Sequence, residues 1–203
     1  MPTATFNRLN QKKKSRFIEQ AFKEFAINAY QGGSITNLVK TLGIAKGSVY
    51  QYFEDKEALY RFLVEEIMQQ LNSLLDKTCT YENEEFFTWY NKLLIVKLKY
   101  LLSFPGQAAL LRNVMTGTLG IDRALRKEII ASLQSRIRLA MPQGINNEVN
   151  LYLLSHAPLQ VFDLVTNKLN LAKIISTDDP IYLEARELMS VCSEWVTRFK
   201  HGL

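Results

Sequence analysis

Apolar residues recur at helical spacing along nearly the whole chain. The first such stretch has apolar positions separated by i, i+3, i+4 and i+7, which is the pattern of an amphipathic helix. Its members are Phe17, Ile18, Ala21, Phe22 and Phe25. The pattern predicts a helix over about residues 10–29, and the glycines of the following segment YQGG end it.

Two short helices are predicted next, with one glycine between them. Ser34 is placed to open the first, and Gly43 supplies the permissive backbone of a tight turn at its end. The apolar side of this helix consists of Ile35, Leu38 and Leu42. The pattern restarts after Ala45, where Val49 and Phe53 face inward, toward a small core shared with Phe22, Phe25, Ile35 and Leu38.

The rest of the chain continues in helices and contains no alternating strand pattern of any length. Asp55 is a candidate N-cap for a fourth, long helix. A fifth, at about residues 84–103, has two interleaved apolar stripes, as expected of a central helix. The others are predicted at about residues 106–116, 121–140, 147–175 and 180–200. The fold class is therefore all-α, with about nine helices.

Two short helices joined by a glycine-containing turn pack at a steep angle, and the first supports the second. The second helix then projects from the surface and fits the major groove of DNA. The outward residues of the second helix are Lys46, Ser48, Tyr50, Gln51 and Tyr52. They offer both phosphate-binding and base-reading groups. Gly47 is a poor helix former, so its presence suggests close approach of a partner to the backbone. The alternative is that Tyr50 and Tyr52 only pack, and that Lys46 is a solvated charge.

The basic charge is concentrated near the start of the chain. The net charge is +5, and residues 1–60 hold nine basic against five acidic side chains. This distribution favours a polyanionic partner. The basic cluster at residues 12–16 is not followed by an apolar run, so no secretory signal is predicted. No segment reaches the roughly 18 apolar residues of a membrane span, so we expect a cytoplasmic protein with no membrane partner.

The residues that carry this pattern resemble a known family. The segment SITNLVKTLGIAKGSVYQYFEDKEALY, preceded by FIEQAFKEFAINAY, is similar to the DNA-binding domain of TetR-family (tetracycline-repressor-like) transcriptional regulators. That family shares the glycine turn, a G-[ST]-[hydrophobic]-Y-x-[YH]-F segment and a K-[ED]-x-L start to the next helix. The resemblance covers about residues 10–62. It implies a helix-turn-helix DNA-binding domain at residues 1–58 and a larger helical ligand-binding and dimerisation domain at residues 59–203.

The resemblance also implies roles for matching positions. Phosphate, backbone or base contacts are implied for Ser34, Thr36, Lys46, Ser48, Tyr50, Tyr52 and Lys56, and they add to Gly47 and Gln51, which are DNA-binding candidates from the helix pattern. Three positions depart from the family pattern. Gly33 stands where a capping Thr is common, Ala45 replaces the usual capping Ser or Thr, and Gln51 takes a frequent His position. These departures affect operator preference more than DNA binding itself.

The second half of the chain carries weaker signals. Candidates to line a mostly apolar effector pocket are Trp89, Tyr100, Phe104, Arg112, Tyr152, His156 and Phe162. The alternative for each is an ordinary core or hydrogen-bonding role. Apolar residues of the last two helices fit a four-helix dimer interface. They are Leu159, Phe162, Val165, Leu188, Trp195 and Phe199.

These patterns together predict a sequence-specific transcriptional regulator. It would bind double-stranded DNA as a homodimer on a near-palindromic operator and act as a repressor that a small apolar effector releases. The alternatives are an all-α interaction module or an enzyme that has lost DNA binding. The sequence has no P-loop, G-x-S-x-G, G-x-G-x-x-G or paired metal motif, so we predict no enzyme activity, catalytic residue, metal or cofactor. Cys79 and Cys192 are predicted to be reduced and inert.

Overall fold

The computed structural model describes residues 1–81 and 84–156, together with residues 190, 193, 194, 196–198, 200 and 201. All regular secondary structure in these residues is helical, so the predicted all-α class is confirmed. The described chain divides into two compact units. Unit 1 comprises residues 1–69 and 106–125, and unit 2 comprises residues 70–105 and the described residues from 126 onward.

Unit 1 begins with a helix that the apolar pattern did not predict. Helix α1 spans Ala4–Asn7 and is followed by α2, Gln11–Gly32, α3, Ile35–Leu42, and α4, Lys46–Tyr52. Helix α5, Lys56–Thr78, begins in unit 1 and ends in unit 2. The predicted cap of α5 is confirmed, because the Asp55 carboxylate accepts a hydrogen bond from the backbone N–H of Ala58 at 2.7 Å.

A cluster of aromatic rings forms much of the core of unit 1. The Phe6 ring lies 4.9 Å from Phe53 and 5.5 Å from Phe62, and Phe17 stacks on Phe53 at 5.9 Å. Aromatic pairs at these separations stabilise a core beyond their buried area. Every residue that we predicted in the small core of the short helices is buried, namely Phe22, Phe25, Ile35, Leu38, Val49 and Phe53.

Unit 1 also contains α7, Pro105–Thr116, from Gly106 onward, and the first turns of α8, Gly120–Ala140. Unit 2 contains α6, Phe86–Ser103, the remainder of α8, a 3₁₀ turn at Gln143–Ile145, and helical residues 148–156, here called α9. The two apolar stripes predicted on α6 are buried or half-buried along its length. The Trp89 indole donates to the Cys79 carbonyl at 2.9 Å, and the Tyr90 hydroxyl donates to the Leu154 carbonyl.

Several predictions concern apolar surfaces and thiols. No single helix in the described stretches has the length and apolarity to cross a membrane, and α6 and α7 meet that test only when taken as a pair. Cys79 is buried as a free thiol. Cys192 and all six predicted dimer-interface residues lie outside the described residues.

Lys97 on α6 is a half-buried cation in unit 2. Burial, and secondarily the positive charge of Arg136, lowers the pKa of Lys97 to about 8 from its ordinary value of 10.5. Arg136 itself forms an ion pair with Asp76 at 2.7 Å. The charged form of Lys97 therefore destabilises the folded state.

We expect the Lys97→Met variant to be more stable than the wild type at about pH 7, with Tm raised by at least about 2 °C. Between about pH 8 and the ordinary Lys pKa, the unfolded chain holds a proton that the folded chain has released, so wild-type stability rises with pH. The advantage of the variant should therefore shrink by about pH 10. Thermal unfolding at both pH values measures this.

The exposed Lys99, on the same helix, provides the matched control. The Lys99→Met variant should change Tm little and equally at both pH values. A stability gain in Lys97→Met that is the same at both pH values would contradict the role given to the Lys97 charge.

Candidate nucleic-acid interface

The turn between α3 and α4 has the geometry that its sequence predicts. The Ser34 hydroxyl accepts a hydrogen bond from the Asn37 N–H at 3.3 Å and caps α3. Gly43 has φ 69°, in the left-handed region, and its N–H donates to the Val39 carbonyl at 2.9 Å. Ala45 provides no side-chain cap for α4, as expected from the sequence. Helix α4 is thus fixed by packing and by the turn.

Helix α4 presents a polar face to solvent and an apolar residue to the core. Lys46, Gly47 and Gln51 are exposed, and Tyr50 is 48% exposed. Val49 lies between them in sequence and is 1% exposed. Ser48 is half-buried, and on α3 Thr36 is exposed. Donors and acceptors of several kinds are therefore available to a partner along α4.

Tyr52 differs from Tyr50 in that its ring packs against other aromatic rings. The ring lies 5.7 Å from Phe6 and 5.7 Å from Phe17, and the residue is half-buried. The packing interpretation that we considered for both tyrosines thus describes the ring of Tyr52. A DNA contact by Tyr52 stays a prediction.

The C-terminal end of α4 is tied to the first residues of the chain. The Thr3 N–H donates to the Tyr52 carbonyl at 2.9 Å, and the Thr3 hydroxyl donates to the Gln51 carbonyl. The same hydroxyl caps α1 by accepting from the Phe6 N–H at 3.4 Å. These bonds satisfy two carbonyls that a helix end leaves without intrahelical partners. Helical periodicity gave no signal for this contact.

Lys56 binds within unit 1 rather than extending into solvent. Its ammonium donates to the carbonyls of Tyr30, at 2.9 Å, and Gly33, at 3.3 Å. It also lies 4.5 Å from the centre of the Tyr30 ring. Lys56 therefore holds the end of α2 against the start of α5. Its predicted phosphate contact stays a prediction.

The end of α2 contains a break that a distant side chain satisfies. Ala29 has φ 52°, a conformation that is strained for a residue with a Cβ. The Asn113 amide of α7 donates to the Phe25 and Ala26 carbonyls, both at 3.0 Å. The N–H of Ser34, which leads into α3, donates to the Glu24 carboxylate at 2.8 Å. This polar junction fixes the path of the chain from α2 into α3.

A buried polar pair lies elsewhere in unit 1. The Tyr60 hydroxyl is 3.5 Å from the Asp122 carboxylate, and both residues are buried. Burial, followed by the charge of Asp122, raises the pKa of Tyr60 above its ordinary range, so the phenol stays neutral. The pair joins α5 to the first turn of α8.

The described effector-pocket candidates fall in both units. Arg112 is a half-buried residue of α7 in unit 1, whereas the others lie in unit 2. Trp89 and Tyr100 are buried, and the Tyr100 hydroxyl donates to Gln70 at 3.0 Å. Phe104 and Tyr152 are exposed, and Tyr152 stacks on the His156 ring at 3.8 Å. Phe162 lies outside the described residues. A pocket role for these residues stays a prediction.

The fold of unit 1 defines the class of protein. A glycine turn joining α3 to a projecting α4 with a polar outer face is a helix-turn-helix. The sequence of residues 17–62 matches the family model described as bacterial regulatory proteins, tetR family. The resemblance predicted from the recognition segment is thereby confirmed over these residues.

A known transcriptional regulator has a similar sequence over part of its length. The chain is 30% identical over 97 residues to the HTH-type dhaKLM operon transcriptional activator DhaS of Lactococcus lactis, a match covering 46% of this chain and 47% of DhaS. The matched region thus spans about half the length of this curated relative.

Two solved structures share the fold along most of the chain. A TetR family transcriptional regulator from Chloroflexus aurantiacus has a TM-score of 0.72 and 24% identity, covering 100% of this chain and 98% of that one. The transcriptional regulator FadR from Bacillus subtilis, in complex with stearoyl-CoA, has a TM-score of 0.66 and 15% identity, covering 88% and 97%.

Gly33 gives a stability prediction for the α2–α3 junction. A Cβ at this position would lie 2.4 Å from a ring carbon of the buried Phe25 and 2.8 Å from the Ala29 carbonyl oxygen. The space is filled, which explains why the capping Thr common in the family is absent. We expect Gly33→Ala to lower the free energy of unfolding by about 1–3 kcal/mol, measured by urea denaturation.

Gly47→Ala is the matched control, because a Cβ there would meet nothing within 4 Å. In helix α4 this change should leave stability unchanged or raise it by up to about 1 kcal/mol. Equal unfolding midpoints for the two variants would show that the Gly33 site relaxes without cost.

Proposed function

We propose that the chain is a DNA-binding transcriptional regulator whose α4 enters the major groove of an operator. The observation that carries this proposal is the division of α4 into a buried side at Val49 and an exposed polar side at Lys46, Tyr50 and Gln51. The burial orients the helix, and the exposed side chains are left to contact phosphates and base edges. The match of residues 17–62 to the family model supports this interpretation.

The contacts that we propose differ in kind. Gln51 can read base edges through its amide, and Lys46 can bind a phosphate or a guanine edge. Ser34 and Thr36, at the start of α3, are proposed to contact the phosphate backbone. Gly47 is proposed to allow close approach of a partner to the backbone, since a Cβ built at this position would meet nothing within 4 Å. A homodimer would present two copies of α4 to half-sites about 34–36 Å apart, which requires a near-palindromic operator. Such a regulator acts in the cytoplasm.

We propose repression as the outcome, since a regulator that an effector releases from its operator acts by occupying it. The relative DhaS is named an activator, so the direction of control must be measured on the regulated promoter. A reporter downstream of the operator, expressed with and without the chain, distinguishes the two outcomes.

The double variant Lys46→Ala with Tyr50→Ala should bind operator DNA at least about tenfold more weakly than the wild type, because two exposed contacts are removed. Gel-shift titration of DNA fragments from around the chain's own gene, at about 0.1 M salt, measures this. Gly47→Ala should also weaken binding without loss of stability. Lys77→Ala, an exposed residue at the other end of α5, is the control. Absence of sequence-selective binding by the wild type would reject the proposal.

The proposed effector is a small, mostly apolar molecule that binds outside the helix-turn-helix. FadR from Bacillus subtilis, which shares the fold, was solved in complex with stearoyl-CoA, so an acyl-CoA is the first compound to test. Contacts within unit 1 would carry a movement of α7 to the DNA-binding helices. Displacement of α7 would withdraw Asn113 from the Phe25 and Ala26 carbonyls and release the strained break at Ala29. A coupling free energy of about 1–3 kcal/mol is enough for a useful switch.

Stearoyl-CoA should lower the affinity of the chain for its operator by about 5- to 150-fold, which is the range given by that coupling. Fluorescence anisotropy of labelled operator DNA measures the change. Free CoA is the control, because it has the same head group and no acyl chain. Equal effects of both compounds would argue against an apolar effector, and no effect of either would direct the search to other apolar molecules.

A further inference from the structure

The whole net charge of the chain resides in its first 18 residues. This segment holds five of the 25 basic residues and none of the 20 acidic ones, so the other 185 residues carry 20 of each and are neutral in sum. Charges that serve only solubility are usually of both signs and distributed over the whole surface. A segment of 18 residues that holds all of the net positive charge departs from this pattern. Four of the five side chains are exposed and form what we call the basic patch, Arg8, Lys12, Lys13 and Arg16.

The basic patch is not neutralised by neighbouring acids. Among the residues that the structure describes, none of these four side chains forms an ion pair. The fifth cation, Lys14, is half-buried and lies 5.3 Å from the centre of the Phe6 ring. Lys23, the next basic residue, already has a partner in Glu19 at 2.7 Å. The patch thus presents uncompensated positive charge to solvent.

Contacts within unit 1 hold the basic patch beside α4. Thr3 binds the Gln51 and Tyr52 carbonyls, and Phe6 is fully buried against the rings around Tyr52. On the other side of the patch, Phe17 packs against Tyr52. Lys13 is one helical turn before Phe17 and so lies along the same edge of α2. The patch is therefore fixed next to the C-terminal end of α4.

We propose that the basic patch is a second DNA-contacting element, which binds phosphates of the same duplex next to the groove that α4 enters. This inference rests on the proposed function and extends the contact set beyond α3, α4 and the start of α5. The matched family model begins at residue 17, so it assigns nothing to these side chains. A lysine ammonium binds a phosphate as a point charge, and an arginine guanidinium can bind one through two parallel hydrogen bonds. Phosphate contacts of both kinds add affinity and carry no sequence information directly.

The test compares two triple variants with the same loss of charge. In one, Lys12, Lys13 and Arg16 are each changed to Gln, and in the other, exposed lysines distant in sequence, Lys77, Lys99 and Lys127, are changed to Gln. Binding to operator DNA and to an unrelated duplex is measured between about 50 and 300 mM salt. Each lost phosphate contact reduces the slope of log affinity against log salt by about 0.9.

The patch variant should show a slope shallower by about 1 to 3, with similar weakening on both duplexes, whereas the control variant should keep a slope close to that of the wild type. An unchanged slope in the patch variant, or an equal change in both variants, would overturn the inference. Thermal unfolding of both variants should match the wild type, since all six side chains are exposed. A wild type that binds neither duplex would instead reject the proposed function.

Discussion

The placement of the helix-turn-helix depends on how α2 ends. Helix α2 is broken at Ala29, whose φ of 52° is costly for an alanine, and its last carbonyls face partners from distant parts of the chain. Lys56 binds the carbonyls of Tyr30 and Gly33, and Asn113 binds those of Phe25 and Ala26. Because only two residues separate the end of α2 at Gly32 from the start of α3 at Ile35, any change in this ending moves α3 and, through the Gly43 turn, α4. The strained backbone and the polar contacts therefore act together to set the positions of α3 and α4.

Lys56 occupies a motif position whose side chain the fold itself uses. The resemblance implies a phosphate contact there, and the structure gives its ammonium two carbonyl partners and an aromatic ring. An ammonium has three donors, so a contact with a phosphate is compatible with two internal bonds. The internal bonds would then hold the charge at a fixed place at the start of α5, which lowers the entropy lost when a phosphate binds.

Helical periodicity predicted the elements that bury a regular apolar stripe and failed where the structure depends on single long-range contacts. Helices α2 and α3 each have several buried apolar residues in register, and α4 has Val49, followed by Phe53 just after its end. The caps of α3 at Ser34 and Gly43 follow from local chemistry. Helix α1 has one turn and one buried residue, Phe6, so it has no period to detect. The Asn113 and Thr3 contacts join residues that are 87 and 48 positions apart, and nothing local in the sequence pairs them. The same limit applies to Tyr52, whose ring packs against residues of α1 and α2.

The stability of α4 comes almost entirely from outside the helix, and this leaves its exposed side chains free for recognition. A helix of seven residues that contains a glycine and has no side-chain cap would not persist alone. Burial of Val49 and Phe53 holds one side, and Thr3 satisfies the carbonyls at its end. None of these stabilising contacts uses the side chains of Lys46, Tyr50 or Gln51. Changes at these three positions should therefore leave the fold intact, whereas changes at Thr3 or Phe6 act on the helix as a whole.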